Sequence, residues 1–206
     1  MPNFNPVAIA GAACATITFF FLIGYLAGPV FHITQASTDS DLYWGKVVNK
    51  SPSSSSSSKL DKDNENVKKV LDAGVSFAVF AFLASIGALV GALLYGVLSA
   101  ESPLDSSLTK IITLASAAVL IFCLFISLVV VGAAVPGGLK KDCEKNPAAN
   151  CNAGYYKSFN GKENGASWRG GDGYIVGCLA LPFAIVVLVM PFIFSPDDAP
   201  AASAAA

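Results

Sequence analysis

Four stretches of this chain carry no Asp, Glu, Lys or Arg: Val7–Phe31, Ala73–Ala100, Ile111–Leu139 and Gly173–Ser195. A bilayer hydrocarbon core about 30 Å thick is crossed by about 20 apolar residues in a helix, whereas buried helices of soluble proteins rarely exceed about 14. Four such runs therefore predict four transmembrane helices. Lipid cannot hydrogen-bond a bare backbone, so each span has to satisfy its own N–H and C=O groups. A membrane barrel would need alternating polarity along its strands, and runs such as LIFCLFISLVVV at 120–131 have none. The first run lacks a basic n-region and outlasts the roughly 7–15 apolar residues of a signal peptide, so it reads as a retained helix.

Only 13% of the 206 residues are charged, against about 25% in ordinary soluble domains. The formal net charge of -1 gives no reason to expect a nucleic-acid partner. The expected architecture is one all-α membrane domain over 1–206. It is an antiparallel four-helix bundle with loops at 34–72, 101–110 and 140–172, a tail at 196–206, and room for a small β element in the long loops. The surrounding partner is the lipid bilayer.

Small residues recur along the spans. Gly24 and Gly28 form one GxxxG, and Gly87 and Gly91 another. Without a hydrophobic drive between helices in lipid, such faces let backbones approach closely. Two readings stand: the glycines pack helices within one chain, or they also join neighbouring chains. Pro182 and Pro191 should bend the fourth span.

Loop one holds DLYWGKVVNK at 41–50, a serine tract at 53–58 that reads as flexible linker, and a mixed-charge stretch in which Asp61 or Asp63 is expected to cap the second helix. Loop two is short, which makes the second and third helices an antiparallel pair. In loop three, Trp168, Tyr155, Tyr156 and Tyr174 read as an interfacial aromatic set. Of five cysteines, Cys14, Cys123 and Cys178 fall in apolar runs and read as small packing residues. Cys143 and Cys151, eight positions apart in a polar loop, suit a local disulfide.

Loops one and three must share one side of the membrane. With their flanks they hold twelve of the thirteen Lys and Arg residues, all but Lys110, and the positive-inside rule would place that side in the cytosol. The cysteine pair argues for an oxidising compartment instead. So does Asn49-Lys50-Ser51, a glycosylation sequon.

Chemistry-bearing patterns are missing. Transporters and proton relays place ionisable groups at membrane depth, and these spans have none. His32, the single histidine, reads as an interfacial residue. DKDNEN at 61–66 lacks the glycine and distal glutamate of a calcium loop. No nucleophile, phosphate-binding or metal-binding motif occurs. No catalytic residue, metal or cofactor is expected, and the chain does not read as an enzyme.

The plan of four spans, short tails, a long first loop, a short second and an intermediate third resembles the claudin and peripheral myelin protein superfamily, and the amastins that share its layout. Leu42-Tyr43-Trp44-Gly45-Lys46 is similar to part of that superfamily's aromatic loop-one signature. There a Leu-Trp pair precedes a cysteine pair. Loop one here has no cysteine, so that family's loop-one disulfide does not carry over. The resemblance implies loops 34–72 and 140–172 outside, both termini cytoplasmic, a left-handed bundle and lateral assembly in the plasma membrane. The expected function is that of a structural or organising tetraspan that self-associates, with Tyr43, Trp44 and Trp168 as loop contacts. The alternative is a non-catalytic accessory subunit of a larger membrane complex, such as a channel or an energy-transducing assembly.

Overall fold

The computed structural model describes residues 6–96, 106–147 and 149–193. Four helices carry the chain: α1 (Pro6–Ala27), α2 (Glu65–Gly96), α3 (Ser106–Cys143) and α4 (Asp172–Ile193). All four are long and apolar enough to cross a membrane. Helix α1 packs against α2 and α4, and α3 packs against α2 and α4. Many large apolar side chains remain outside this core, among them Phe20, Phe80, Leu83, Phe122, Phe125 and Phe192. In water they would form an apolar belt far larger than a soluble surface carries. In lipid they need no cover.

Several helix ends differ from the charge-free runs, the start of α3 at Ser106 among them. Helix α1 stops at Ala27, and Phe31, expected inside the first span, belongs to a strand. Pro29 cannot continue the helix hydrogen bonding. Helix α2 begins at Glu65, eight residues before the run at Ala73, and α3 extends to Cys143 beyond Leu139. At 1.5 Å per residue, 32 and 38 residues give about 48 and 57 Å, well beyond a core of about 30 Å. The extra turns carry polar residues such as Glu65, Lys69, Lys140 and Asp142. The second loop's Ser102, Pro103 and Asp105, and the tail from 196, lie outside the described residues.

Loops one and three build a single antiparallel sheet. Its strands are β1 (Phe31–Gln35), β2 (Thr38–Leu42), β3 (Lys46–Ser51), β4 (Ser54–Lys59), β5 (Gly161–Glu163) and β6 (Ala166–Gly170), in the order β4-β3-β2-β1-β6-β5. Strand β1 is the joint: Phe31 pairs with Leu42 on one side and with Gly170 on the other. The two loops therefore lie at one end of the helices, and consecutive helices alternate in direction. The pleat gives the sheet an apolar face with Phe31, Ile33, Leu42, Val47 and Trp168, and a polar face with His32, Asp41, Lys50 and Arg169. The apolar face joins the helix interior at Leu22, Tyr25, Leu71 and Val131 in one continuous core.

The serine tract is not a linker. Ser54–Lys59 forms β4, paired with β3 from Lys46↔Lys59 to Ser51↔Ser54. All six side chains are exposed, so no buried face directs the strand. The tight reversal at Pro52-Ser53 and the partner backbone of β3 do so instead.

Candidate functional site

The glycine faces meet helices of the same chain. A Cβ on Gly28 would lie 2.7 Å from Gly173 Cα, and one on Gly24 would lie 3.1 Å from a Val176 methyl. This is the α1–α4 crossing. A Cβ on Gly87 would lie 2.7 Å from Ser116 Oγ, and Gly91 abuts Thr113, which is the α2–α3 crossing. These four positions pack against helices inside the chain.

Tyr43 and Trp44 separate in role. Trp44 wedges between the sheet and the helices. Its Nε1–H donates to the Tyr25 carbonyl at 3.1 Å, its ring meets Tyr25 edge-on at 5.2 Å, and a Cβ on Gly74 would touch it. Beneath it, Tyr25 Oη and Ser127 Oγ are 2.8 Å apart, and Ser127 Oγ–H donates to the Gly74 carbonyl at 2.7 Å. The chain ties α1, α2 and α3 together at a depth where an unpaired polar group is costly. Tyr43 stays half-buried, with the Lys46 ammonium 5.1 Å from its ring centroid. Trp168, expected as a loop contact, is only 5% exposed. It lies on the inner face of β6, its Nε1–H 3.3 Å from Ser158 Oγ and its ring edge against Gly154 and Gly161. The period-two pleat turns it inward, so it is a core residue of loop three. Tyr155 pairs with Trp168 and with Tyr156, and Tyr174 pairs with Phe159, which in turn stacks on Phe31. The aromatic set comes together as the floor of the sheet.

Cys143 and Cys151 stand at disulfide distance, Cα to Cα 5.9 Å. Beside them is a group that reading the loops as charge inventories misses. Asp142 Oδ1 accepts from the Asn66 backbone N–H at 3.0 Å and from its side-chain amide at 2.7 Å. Its Oδ2 accepts from the Val67 N–H at 2.8 Å. Asp142 therefore caps α2 from another helix. Asp61, one of the two residues expected there, accepts instead from the Asp63 N–H and caps the preceding 3-10 turn, Lys62–Asn64.

On the polar face, His32 Nδ1–H donates to Asp41 Oδ1 at 2.6 Å, and Lys50 Nζ donates to Asp41 Oδ2 at 2.9 Å. His32 is thus a strand residue held by a carboxylate. Burial pulls the Asp41 carboxyl upward, but the hydrogen bonds from His32 and Lys50 outweigh it and hold the group below its ordinary value. Asp41 in turn raises Lys50. Asn49, the sequon residue, sits in β3 with its amide oxygen accepting from Ser40 Oγ–H at 2.8 Å. Cys14, Cys123 and Cys178 are free thiols on the helices.

Among the described residues, no group of three or more His, Cys, Asp or Glu side chains is placed to hold a metal ion. Among the described residues the arrangement supplies surfaces: the polar sheet face, the exposed apolar belt, and two open sheet edges at β4 and β5. Compared with models of known protein families and with curated protein sequences, the chain matches none.

Proposed function

We propose that this protein is a structural tetraspan of the plasma membrane that associates laterally with copies of itself, in rows or arrays of the kind formed by the claudins it resembles. The observation that carries the reading is the open edge at β4. One side of its backbone pairs with β3, and the other has no strand partner among the described residues. An exposed edge of this kind is a template for pairing with another chain. Six strands in alternating directions leave β4 and β5 antiparallel to each other. A neighbour's β4 laid beside β5 continues the sheet order, and a repeated head-to-tail contact that does not close produces a row. Occupied glycine faces and charge-free helix exteriors agree with helices that serve as an anchor.

In this reading loops 34–72 and 140–172 face outward and the termini are cytoplasmic. The Cys143–Cys151 pairing supports that orientation, against the twelve basic residues on the same side. One pair of variants tests both claims. With Ser56→Cys on β4 and Lys162→Cys on β5, oxidation in native membranes should join chains into ladders only when both cysteines are present. An impermeant maleimide should label either position on intact cells. Monomers alone, in membranes and in mild detergent, would remove self-association, and labelling only after the membrane is opened would reverse the topology. Co-purification of one large stoichiometric partner would favour an accessory subunit.

A further inference from the structure

Loop three folds over a cleft of about 290 Å³ between the segment after the disulfide and the β5–β6 turn. Its lining includes the amides of Asn150, Asn152 and Asn164, the carboxylate of Glu163, and the rings of Tyr155 and Trp168. The rings stand edge-to-face, 6.1 Å apart. The Asn150 oxygen accepts from the Asn152 backbone N–H, which leaves its NH2 group. The side chains of Asn152, Asn164 and Glu163 are exposed and make no hydrogen bond or ion pair among the described residues.

The chemistry of this lining is selective. No cation lines the cleft and Glu163 is anionic, so an anion is disfavoured. A divalent cation would find one carboxylate, where such ions take six or more oxygens. A quaternary ammonium would suit the rings and Glu163, but it would give three NH2 groups nothing to donate to. Carboxamides both donate and accept. Hydroxyl groups do the same, and several hydroxyls on a ring with an aliphatic C–H face match planar amides beside the half-buried ring of Tyr155. The positive edge of C–H bonds meets the negative face of a ring favourably. The volume lies at the lower limit of small-molecule clefts, which fits one sugar ring better than an extended chain.

We infer that this cleft binds a neutral saccharide, as the terminal unit of a glycan on the side of the membrane that the loops face. The inference does not depend on lateral assembly, and the test separates the two. The protein is placed in nanodiscs, which hold single copies and expose both faces, and is titrated with the methyl glycosides of glucose, galactose, mannose and N-acetylglucosamine. Saturation-transfer NMR reads binding. At least one glycoside should bind saturably in the millimolar range. Asn152→Ala and Glu163→Gln, both at exposed side chains, should each weaken it about tenfold with the thermal midpoint unchanged. Choline and calcium should not compete. Absence of saturable binding for every glycoside, equal binding by both variants, or displacement by choline or calcium would overturn the assignment.

Discussion

Asp142 lies in the last turn of α3, where its charge opposes the helix dipole of its own helix. That same position brings it to the N-terminus of α2, where the dipole favours an anion and the first backbone N–H groups lack partners. It makes three hydrogen bonds there and an ion pair with Lys145 at 2.9 Å. Asp142→Ala should cost about 1–3 kcal/mol, between a lost cap and lost charge-assisted bonds. Amide exchange at Asn66 and Val67 should accelerate while that of the mid-helix stays slow. Unchanged exchange at both amides would refute the cap. Asp41 gives a pH-dependent counterpart. Its carboxyl titrates lower in the folded chain than in the unfolded one, so the unfolded chain takes up the proton first as pH falls. The stabilisation is complete above the unfolded value of about 4 and is lost as pH drops through the folded one. Wild type should lose more of its thermal midpoint between pH 7 and pH 3 than Asp41→Asn does. Neither role was legible in the sequence. Asp142 contacts a residue some 75 positions away, and Asp41 depends on a strand register that sets His32 opposite it.

At the scale of elements, the helices were legible because a long charge-free apolar run is written locally. Their sheet-side ends were not, because α2 and α3 continue past the apolar run as polar turns that pack on each other. The small β element expected in the long loops is there as a six-stranded sheet, but its strands were not placed, for two different reasons. In loop three, Asn164-Gly165 between two short strands is a type I′ hairpin signal, and both residues do take positive φ, at 48° and 79°. In β4 there was no such signal, since six residues of serine and lysine carry no alternation. The GxxxG faces were visible, but which helix each would meet was not, since small residues mark close approach without naming the partner. The crossing of α1 and α4 makes that approach testable. Gly28→Ala should destabilise by about 1–3 kcal/mol through overpacking against the Gly173 backbone. Gly45→Ala, with nothing within 4 Å of an added Cβ, should stay within about 0.5 kcal/mol. Equal thermal midpoints in detergent for the two variants would contradict the packing.

For the whole molecule, helices and sheet form one body. Phe31, Leu42 and Trp168 from the loops share a core with Tyr25, Leu124 and Val131 from the helices, and Trp44 and the Asp142 cap fasten the join. The cleft and the open sheet edges rest on this shared base. The closure of the sheet also has a timetable. Phe31 pairs with Gly170, 139 positions later in the chain. A ribosome working at about 5–20 residues per second delivers β6 on the order of ten seconds after β1. Through that interval α2 and α3 are made while β1 waits with one edge bare, and bare edges invite wrong partners. A nascent chain halted before β6 would present that edge to whatever strand lies nearby. Safe biogenesis of this protein thus depends on delivering β6 promptly, or on a chaperone that shields the first strand until it arrives.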